Sequence, residues 1–407
     1  MQIGVCFGVF SRNSPMSEHL ISTYNPLPVS FSRGDGIYLW DSDENRYLDA
    51  LCGISVTSLG HNFPAVTKAI RQQAGNLLHT SNIYNIEWQQ KLAQRITQLS
   101  GMDRAFFGNS GAEANEAAIK LARLYGHQRG IKNPQILVMQ HSFHGRTMAT
   151  LSATGSRKVQ AGFEPLVSGF VRAPFNDVGS ISAIAKNNKK VVAILVEPVL
   201  GEGGIIIPDS GYLNSLRQIC DKNNWFLMLD EIQTGMARSG KLFAFQYENI
   251  IPDVLTLAKA LGNGIPIGAC IARGKAAEVF HPGNHGSTFG GNPLACRVAY
   301  TVLDAMVKNK YADNAVQRGE QLVSLLKEGL AGNDSVLEVR HLGLLIGIEM
   351  KQNCQAMVAL ALEKGLLINV TAERVIRLLP PLTIDSLQTN ELAELLIPCI
   401  NTFTHNS

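Results

Sequence analysis

The chain has 407 residues, of which 45% are apolar and 17% charged, and its formal net charge is +3. That length corresponds to roughly two to three domains of about 150 residues, and the composition is that of a folded globular chain, not a disordered one. The near balance of charge argues against a polybasic nucleic-acid or membrane-surface protein, although one basic pocket can still hold a small anion.

The first residues, MQIGVCFGVF, are apolar, but no basic residue precedes them and SRNSP comes next without a small-x-small cleavage pattern. A signal peptide is therefore a poor reading. Met16 is the expected natural start, with 1–15 a disordered or upstream extension. No uninterrupted apolar run approaches the ~20 residues needed to cross a bilayer. The seven cysteines, Cys6, Cys52, Cys220, Cys270, Cys296, Cys354 and Cys399, are widely spaced, and none forms a CxxC. They predict free thiols and a reducing cytoplasm.

Next, RGDGIYLWDSDENRYLDA predicts a hairpin that turns at DSDEN. Beyond it, short β-rich runs alternate with helical stretches, as in a mainly parallel sheet with crossover helices. The runs are RAFF (104–107), ILVM (136–139), VVAILV (191–196), FLML (226–229) and VLTL (254–257). Helical periodicity marks EANEAAIKLARLYG and QRGEQLVSLLKEGLAG. After residue 297 come a long helix, the strand region LLIGIEM (344–350), another helix and IRLLPPL. The expected division is a large α/β domain over 61–296 and a smaller α+β domain from 16–60 and 297–407.

The residues at the strand ends carry the chemistry. RAFF runs into GNSGAEANE, VVAILV ends at Glu197, FLML ends at Asp230, and VLTL leads to Lys259. Ligands of open α/β sheets sit beyond the carboxyl ends of the strands, so these segments point to one shared site. Gly108, Ser110 and Gly111 precede a helix whose N-terminus suits a phosphate. Ser110 and Glu113 also fit S-x-x-E, a capping box. A buried Asp230 needs a cation, a metal or an N-cap role. His141 and His144 form HxxH, but no third metal ligand accompanies them. Lys259 lies among small and apolar residues, where desolvation lowers its pKa and favours a Schiff base with a carbonyl. A phosphate cradle, a lysine and a carboxylate for a pyridine nitrogen together describe a pyridoxal phosphate site. No GxGxxG dinucleotide signature is present; GNGIPIG (262–268) has the wrong spacing.

The segments NSGAEANEAA, SFHGRT, VEPVLGEGG, LDEIQTGMARSGK, LAKALGNGIPIGA, HGSTFGGNPLA and NVTAERVIRLLPPL resemble the class III aminotransferases, of fold-type I. The likeness runs from TYNPLPVSFSRG (23–34) to IRLLPPLTI (376–384). The last two segments favour the branch acting on acetylornithine. The resemblance implies a mostly parallel seven-stranded sheet covered by helices. It implies that Lys259 binds the cofactor's aldehyde and shuttles a proton, that Asp230 pairs with the pyridine nitrogen, and that Gln233 bonds the ring hydroxyl. Gly111 and Ala112, with Ser110 nearby, would hold the phosphate, and Phe143 would stack on the ring. Thr288 would reach the phosphate of the neighbouring subunit in a homodimer with shared active sites, and Ser287 would lie near substrate.

By the same resemblance Arg146 holds the substrate's far carboxylate and Arg377 the one beside the reacting amine. Glutamate and 2-oxoglutarate carry both; acetylornithine has none beside its reacting amine. Glu197 is expected to pair with Arg377 in that half-reaction and release it for glutamate. Tyr24 and Tyr84 are expected near the substrate's carboxylate end. Three residues depart from the usual pattern: Leu200, Ala237 and Ala112. Ala237 stands where glycine is usual, so it needs a compatible backbone angle.

The implied reaction moves the δ-amino group of N2-acetyl-L-ornithine to 2-oxoglutarate in arginine biosynthesis. N-succinyl-diaminopimelate is a further substrate candidate. Rival readings are succinylornithine, ornithine and 4-aminobutyrate transaminases. From another class come a non-catalytic pyridoxal phosphate-binding regulator and, less well supported, a hydride-transferring oxidoreductase.

Overall fold

In the computed structural model, which describes residues 19–405, three sheets share the chain. The expectation about Met16 and residues 1–15 falls outside the described residues. Near the amino end β1 (Phe31–Asp35), β2 (Tyr38–Asp41) and β3 (Arg46–Asp49) form an antiparallel meander. Its second turn falls within DSDEN, where Asp41 Oδ1 accepts the backbone N–H groups of Asp43 and Asn45 at 2.9 Å each. An aspartate folding back on its own turn in this way is what makes the segment reverse.

The central sheet holds β4 (Arg104–Gly108), β5 (Gln135–Met139), β6 (Phe170–Ala173), β7 (Val191–Val196), β8 (Phe226–Asp230), β9 (Val254–Leu257) and β10 (Gly268–Ala272). Their spatial order is β4-β10-β9-β8-β7-β5-β6, as a seven-stranded sheet. Only β10 runs antiparallel to its neighbours. Every residue of β7, β8 and β9 is buried, as continuous apolar runs covered on both faces should be. Two strands escape the sequence reading. The first, β6, lies at the sheet edge and carries Arg172, while β10 reads GACIA and lacks β-branched residues except Ile271.

The glycine that opens β10 has a steric reason. A side chain at Gly268 would meet the Ser110 carbonyl oxygen at 2.1 Å. This glycine lets β10 pass directly beneath the loop that opens the helix Gly111–Gln128.

Toward the carboxyl end are β11 (Val336–Leu342), β12 (Leu345–Met350), β13 (Leu366–Leu367), β14 (Asn369–Thr371) and β15 (Val375–Leu378). A four-stranded sheet has the order β11-β12-β15-β14, while β13 joins the amino-terminal meander by pairing in parallel with β3. Residues from the two chain ends therefore share one sheet.

Between the meander and the helix Pro64–Asn76 lies a turn, Cys52–Ser55, with φ of 53°, 59°, 64° and 63° in succession. Left-handed backbone costs roughly 1–2 kcal/mol per non-glycine residue. It is held by Asp49 Oδ1, which accepts from Cys52 N at 2.8 Å, and by the buried Arg238, whose Nε donates to Ser55 Oγ at 3.0 Å. The turn delivers Val56 to the wall of the main cavity.

Candidate active site

The carboxyl ends of the central strands open onto a cavity of about 460 Å³. Gly111 comes after β4, Phe143 after β5 and Glu197 after β7, while Asp230 ends β8 and Lys259 lies just beyond β9; all line this space. Asn109, Ser110, His144, Arg146, Glu202 and Gln233 complete its polar wall, with Ala112 beside Gly111. The segments beyond the strand ends thus meet at one place.

The helix Gly111–Gln128 points its amino end into the cavity. The first N–H groups of a helix have no intrahelical partner, so Gly111 and Ala112 offer free donors there. Ser110 is the N-cap, its Oγ accepting from Glu113 N at 3.1 Å. Glu113 reaches back to the N–H of Asn109 rather than that of Ser110, so the capping box is displaced by one residue. The Cβ of a residue at 111 would lie 2.7 Å from the Ile232 side chain. Glycine is therefore needed where the phosphate loop meets the floor of the cavity.

Asp230 is buried and fully engaged. Its Oδ2 accepts from Asn115 Nδ2 at 2.8 Å and lies 2.8 Å from His144 Nδ1, while its Oδ1 accepts from Ile232 N at 3.1 Å. Asn115 is fixed in turn by Thr256, whose Oγ1 donates to Asn115 Oδ1 at 2.8 Å. A buried carboxylate held at both oxygens is aimed rather than merely tolerated. Sequence reasoning reaches neither Asn115 nor a role for His144 beside Asp230. The HxxH pattern raises only a metal, whereas His144 orients Asp230.

Lys259 sits at φ 45°, a left-handed angle unusual for a lysine. Such strain is retained where the surroundings dictate the position. Burial, helped by the nearby Arg377, pushes its ammonium pKa below the usual lysine value; Glu202, Asp230 and Glu197 pull the other way.

One expectation needs correcting. Arg377 does not pair with Glu197. Its Nη1 contacts Glu202 Oε1 at 2.6 Å and Gln233 Oε1 at 3.3 Å, and its Nε donates to Asn369 Oδ1 at 2.8 Å. Glu197 is spent on backbone: Oε2 accepts from Phe143 N at 2.9 Å and Oε1 from Gly201 N at 3.2 Å. Burial lifts its pKa to about 7, with His144 opposing and Asp230 adding to the rise. The strand end carries Glu197 into the backbone of two adjoining loops, whereas the next turn carries Glu202 to the arginine. Arg377 itself is fully buried, and its Nη2 has no hydrogen-bond partner among the described residues. Arg377 holds the Glu202 carboxyl below its usual pKa against the upward push of burial, with Lys259 and Arg146 adding to its pull.

Arg146 stands at the cavity mouth with its guanidinium 5.8 Å from the Phe143 ring centroid. Ser287 lies beside the phosphate loop, its Oγ accepting from Asn109 Nδ2 at 3.2 Å. Thr288 is exposed and is not part of its own chain's cavity wall. Tyr24 and Tyr84 are 84% and 65% exposed, and the structure does not bring them to the cavity. Ala237 has φ 69°, the angle that glycine would adopt more easily, and Leu200 is buried.

These residues fit pyridoxal phosphate by their donor chemistry: free helix N–H groups for a phosphate, a desolvated lysine for an aldehyde, and a fixed carboxylate for a pyridine nitrogen. The Aminotransferase class-III family description matches residues 21–400. The chain is a class III aminotransferase. It is 55% identical over 375 residues to the acetylornithine aminotransferase of Nitrosomonas europaea, covering 92% of this chain and 95% of that one. Among solved structures it is similar to the ornithine aminotransferase of Toxoplasma gondii, with a TM-score of 0.92 and 34% identity over 96% of this chain and 93% of that one. That structure shows partial occupancy of pyridoxal phosphate at its active site. The acetylornithine aminotransferase of Elizabethkingia anophelis gives a TM-score of 0.85 at 34% identity, covering 95% of this chain and 97% of that one. Pyridoxal 5′-phosphate is the cofactor of this aminotransferase class, and the fold is the α/β fold-type I architecture expected from the sequence.

Proposed function

We propose that this aminotransferase moves the δ-amino group of N2-acetyl-L-ornithine to 2-oxoglutarate, giving N-acetylglutamate 5-semialdehyde and L-glutamate in arginine biosynthesis. The observation that carries the reading is the Arg377–Glu202 pair at 2.6 Å beside the lysine-bearing cavity. An arginine neutralised by a carboxylate suits a substrate whose reacting end bears no carboxylate. The likeness to acetylornithine aminotransferases supports the same substrate.

Pyridoxal phosphate, when bound, supplies an aldehyde that takes up the amino group and a ring that withdraws electrons. The chain's own groups do the rest. Gly111 and Ala112 N–H groups hold the phosphate, with Ser110 shaping the turn. Asp230 would hold a protonated pyridine nitrogen, Phe143 would lie against the ring and Gln233 would meet its hydroxyl. Lys259 Nζ, whose charged form burial disfavours, would serve as the proton carrier at the reacting centre. Arg146 takes the substrate's far carboxylate, and Ser287, held against Asn109, would border the substrate from the helix-opening loop. In the glutamate half-reaction Glu202, not Glu197, releases Arg377 so that the guanidinium can grip the second carboxylate.

This reading includes a homodimer in the cytoplasm. Ile83, Tyr84 and Phe289 are 80%, 65% and 62% exposed, and they lie on two segments that Asn82 ties together through Ser287 O and Gly290 O at 3.1 and 2.9 Å. A second copy of the chain would cover this apolar face and bring Thr288 to its neighbour's phosphate. The cysteines among the described residues are free and buried, and no described helix is long and apolar enough to cross a membrane. The proposed division is a cofactor domain over 61–296 and a smaller domain from 16–60 and 297–407.

The variant Glu202→Gln tests the switch. With the Arg377 charge no longer neutralised by a carboxylate, kcat/KM for acetylornithine relative to glutamate is expected to fall by about 10- to 100-fold, the worth of a charge-assisted hydrogen bond. Single-turnover rates of the two half-reactions measure the ratio. An unchanged ratio would remove Glu202 from substrate selection.

A further inference from the structure

We propose that Arg340 and Thr371 are positioning residues that clamp the backbone under Glu202, so that the switch at Arg377 is a rotation of one side chain on a fixed turn. This inference rests on the reading of Glu202 given above and extends it to residues outside the cavity.

Glu202 lies on a short hairpin closed by the backbone pair Leu200 N to Ile206 O at 3.1 Å and Ile206 N to Leu200 O at 3.2 Å. Gly201, Gly203 and Gly204 surround it, and Gly204 has φ 108°. A turn so rich in glycine has little stiffness of its own. Left alone, it would carry Glu202 over a range of positions and blur its distance to Arg377.

The carboxyl-terminal sheet removes that freedom. In its register Arg340 of β11 faces Gly347 of β12, Gly347 faces Arg377 of β15, and Arg377 faces Asn369 of β14. Residues directly opposite share a face, and Thr371, two residues beyond Asn369, shares it too. This one face meets the hairpin at several points. Arg340 Nη2 donates to Gly204 O at 2.6 Å and its Nε to Ile205 O at 2.9 Å. The Thr371 hydroxyl donates to the Glu202 carbonyl oxygen. Gly347 leaves room for Ile205, whose Cβ would lie 3.0 Å from any side chain placed there. Arg377 takes the Glu202 carboxylate from the same row.

Arg340 is itself held in place. Its Nη1 meets Glu349 Oε2 at 2.5 Å and Glu338 Oε2 at 2.6 Å, and Glu349 is further paired with Arg374 at 2.7 Å. A guanidinium spends its donors in a fixed plane, so fork contacts on successive carbonyls fix orientation as well as distance. Both members of the switch are thereby referred to one rigid frame. Arg377 is anchored to the sheet by its own strand. Glu202 is anchored by its own backbone carbonyl and by those of Gly204 and Ile205. Only the glutamate side-chain torsions remain to move, and rotations of that kind are fast on the scale of turnover.

The test uses the holoenzyme with Thr371→Val, which is close in shape and lacks only the hydroxyl, and Arg340→Met, which keeps most of the length and loses the fork. Each is made alone and in a Glu202→Gln background, and single-turnover kcat/KM is measured for the acetylornithine and glutamate half-reactions. Each single variant is expected to lower the acetylornithine-to-glutamate ratio by about three- to tenfold, the range for loss of one or two hydrogen bonds. Neither is expected to change the ratio further once Glu202 is glutamine, because residues that act through one group are not additive. Equal losses in both half-reactions, or the same added factor in the Glu202→Gln background, would overturn the clamp. A Glu202→Gln variant that shifts the ratio while both clamp variants leave it unchanged defeats the clamp alone. A Glu202→Gln variant that leaves the ratio unchanged defeats the switch and the clamp together.

Discussion

Replacing Lys259 by alanine is expected to lower turnover by about 10⁴-fold or more, the upper range for removal of a positioned proton carrier. Among the described cavity side chains none is placed to take over, Glu202 being paired with Arg377 at 2.6 Å. Arg146 and Arg377 carry guanidinium groups, which serve to bind carboxylates and not to relay a proton. His144 is committed to Asp230 at 2.8 Å, and Glu197 to the N–H groups of Phe143 and Gly201. Lys259→Arg should fail as badly, since a guanidinium does not give up its proton. The proposed phosphate cradle lies on a different element, the helix Gly111–Gln128, so both variants should still retain cofactor. Rapid-quench or stopped-flow turnover, with cofactor content assayed in parallel, checks this. Turnover within tenfold of the parent would remove Lys259 from its role.

The second large effect is expected at Asp230. Asparagine there is expected to lower kcat by about 10²- to 10³-fold, comparable with losing a preorganised charge-stabilising group. Two consequences combine. The negative charge that keeps the pyridine nitrogen protonated is gone. The new amide must also present an NH₂ toward either the Asn115 amide or the Ile232 N–H, and both of those are donors. One buried donor is then left unsatisfied, which costs about 1–3 kcal/mol. Asp230→Glu keeps the charge and is expected to retain more activity than Asp230→Asn. Steady-state kcat with circular dichroism as a folding control distinguishes the two. The opposite ranking would mean that the carboxylate serves packing and not the cofactor.

How far the sequence can be read depends on which physical signal each residue leaves. Strands β5, β7, β8 and β9 are buried on both faces and announce themselves as continuous apolar runs. By contrast, β10 is hidden because GACIA has one β-branched residue and opens on a glycine that the close approach of Ser110 demands, and β6 because an edge strand tolerates Arg172. The cavity is legible because its residues stand at strand ends, where polarity interrupts hydrophobic patterning. Glu197 against Glu202 is not. The two carboxylates are close in sequence, and the rule about strand ends favours the first. The glycines at 201, 203 and 204 hold the missing signal, because they announce a tight hairpin that presents the residue between them. Asn115 is silent for a different reason: a helix interior gives no hint that one polar residue faces the sheet. The angle at Ala237 is legible, since a non-glycine residue in a position that wants positive φ can be recognised by comparison with the usual glycine.

The most direct test of the proposed reaction is the visible absorption spectrum of the purified holoenzyme, recorded on addition of acetylornithine and, in a separate sample, glutamate. Each amine alone is expected to bleach the yellow pyridoxal form, and 2-oxoglutarate to restore it. Bleaching by glutamate with no response to acetylornithine would contradict the proposed amino donor. It would leave an aminotransferase whose second substrate is something else.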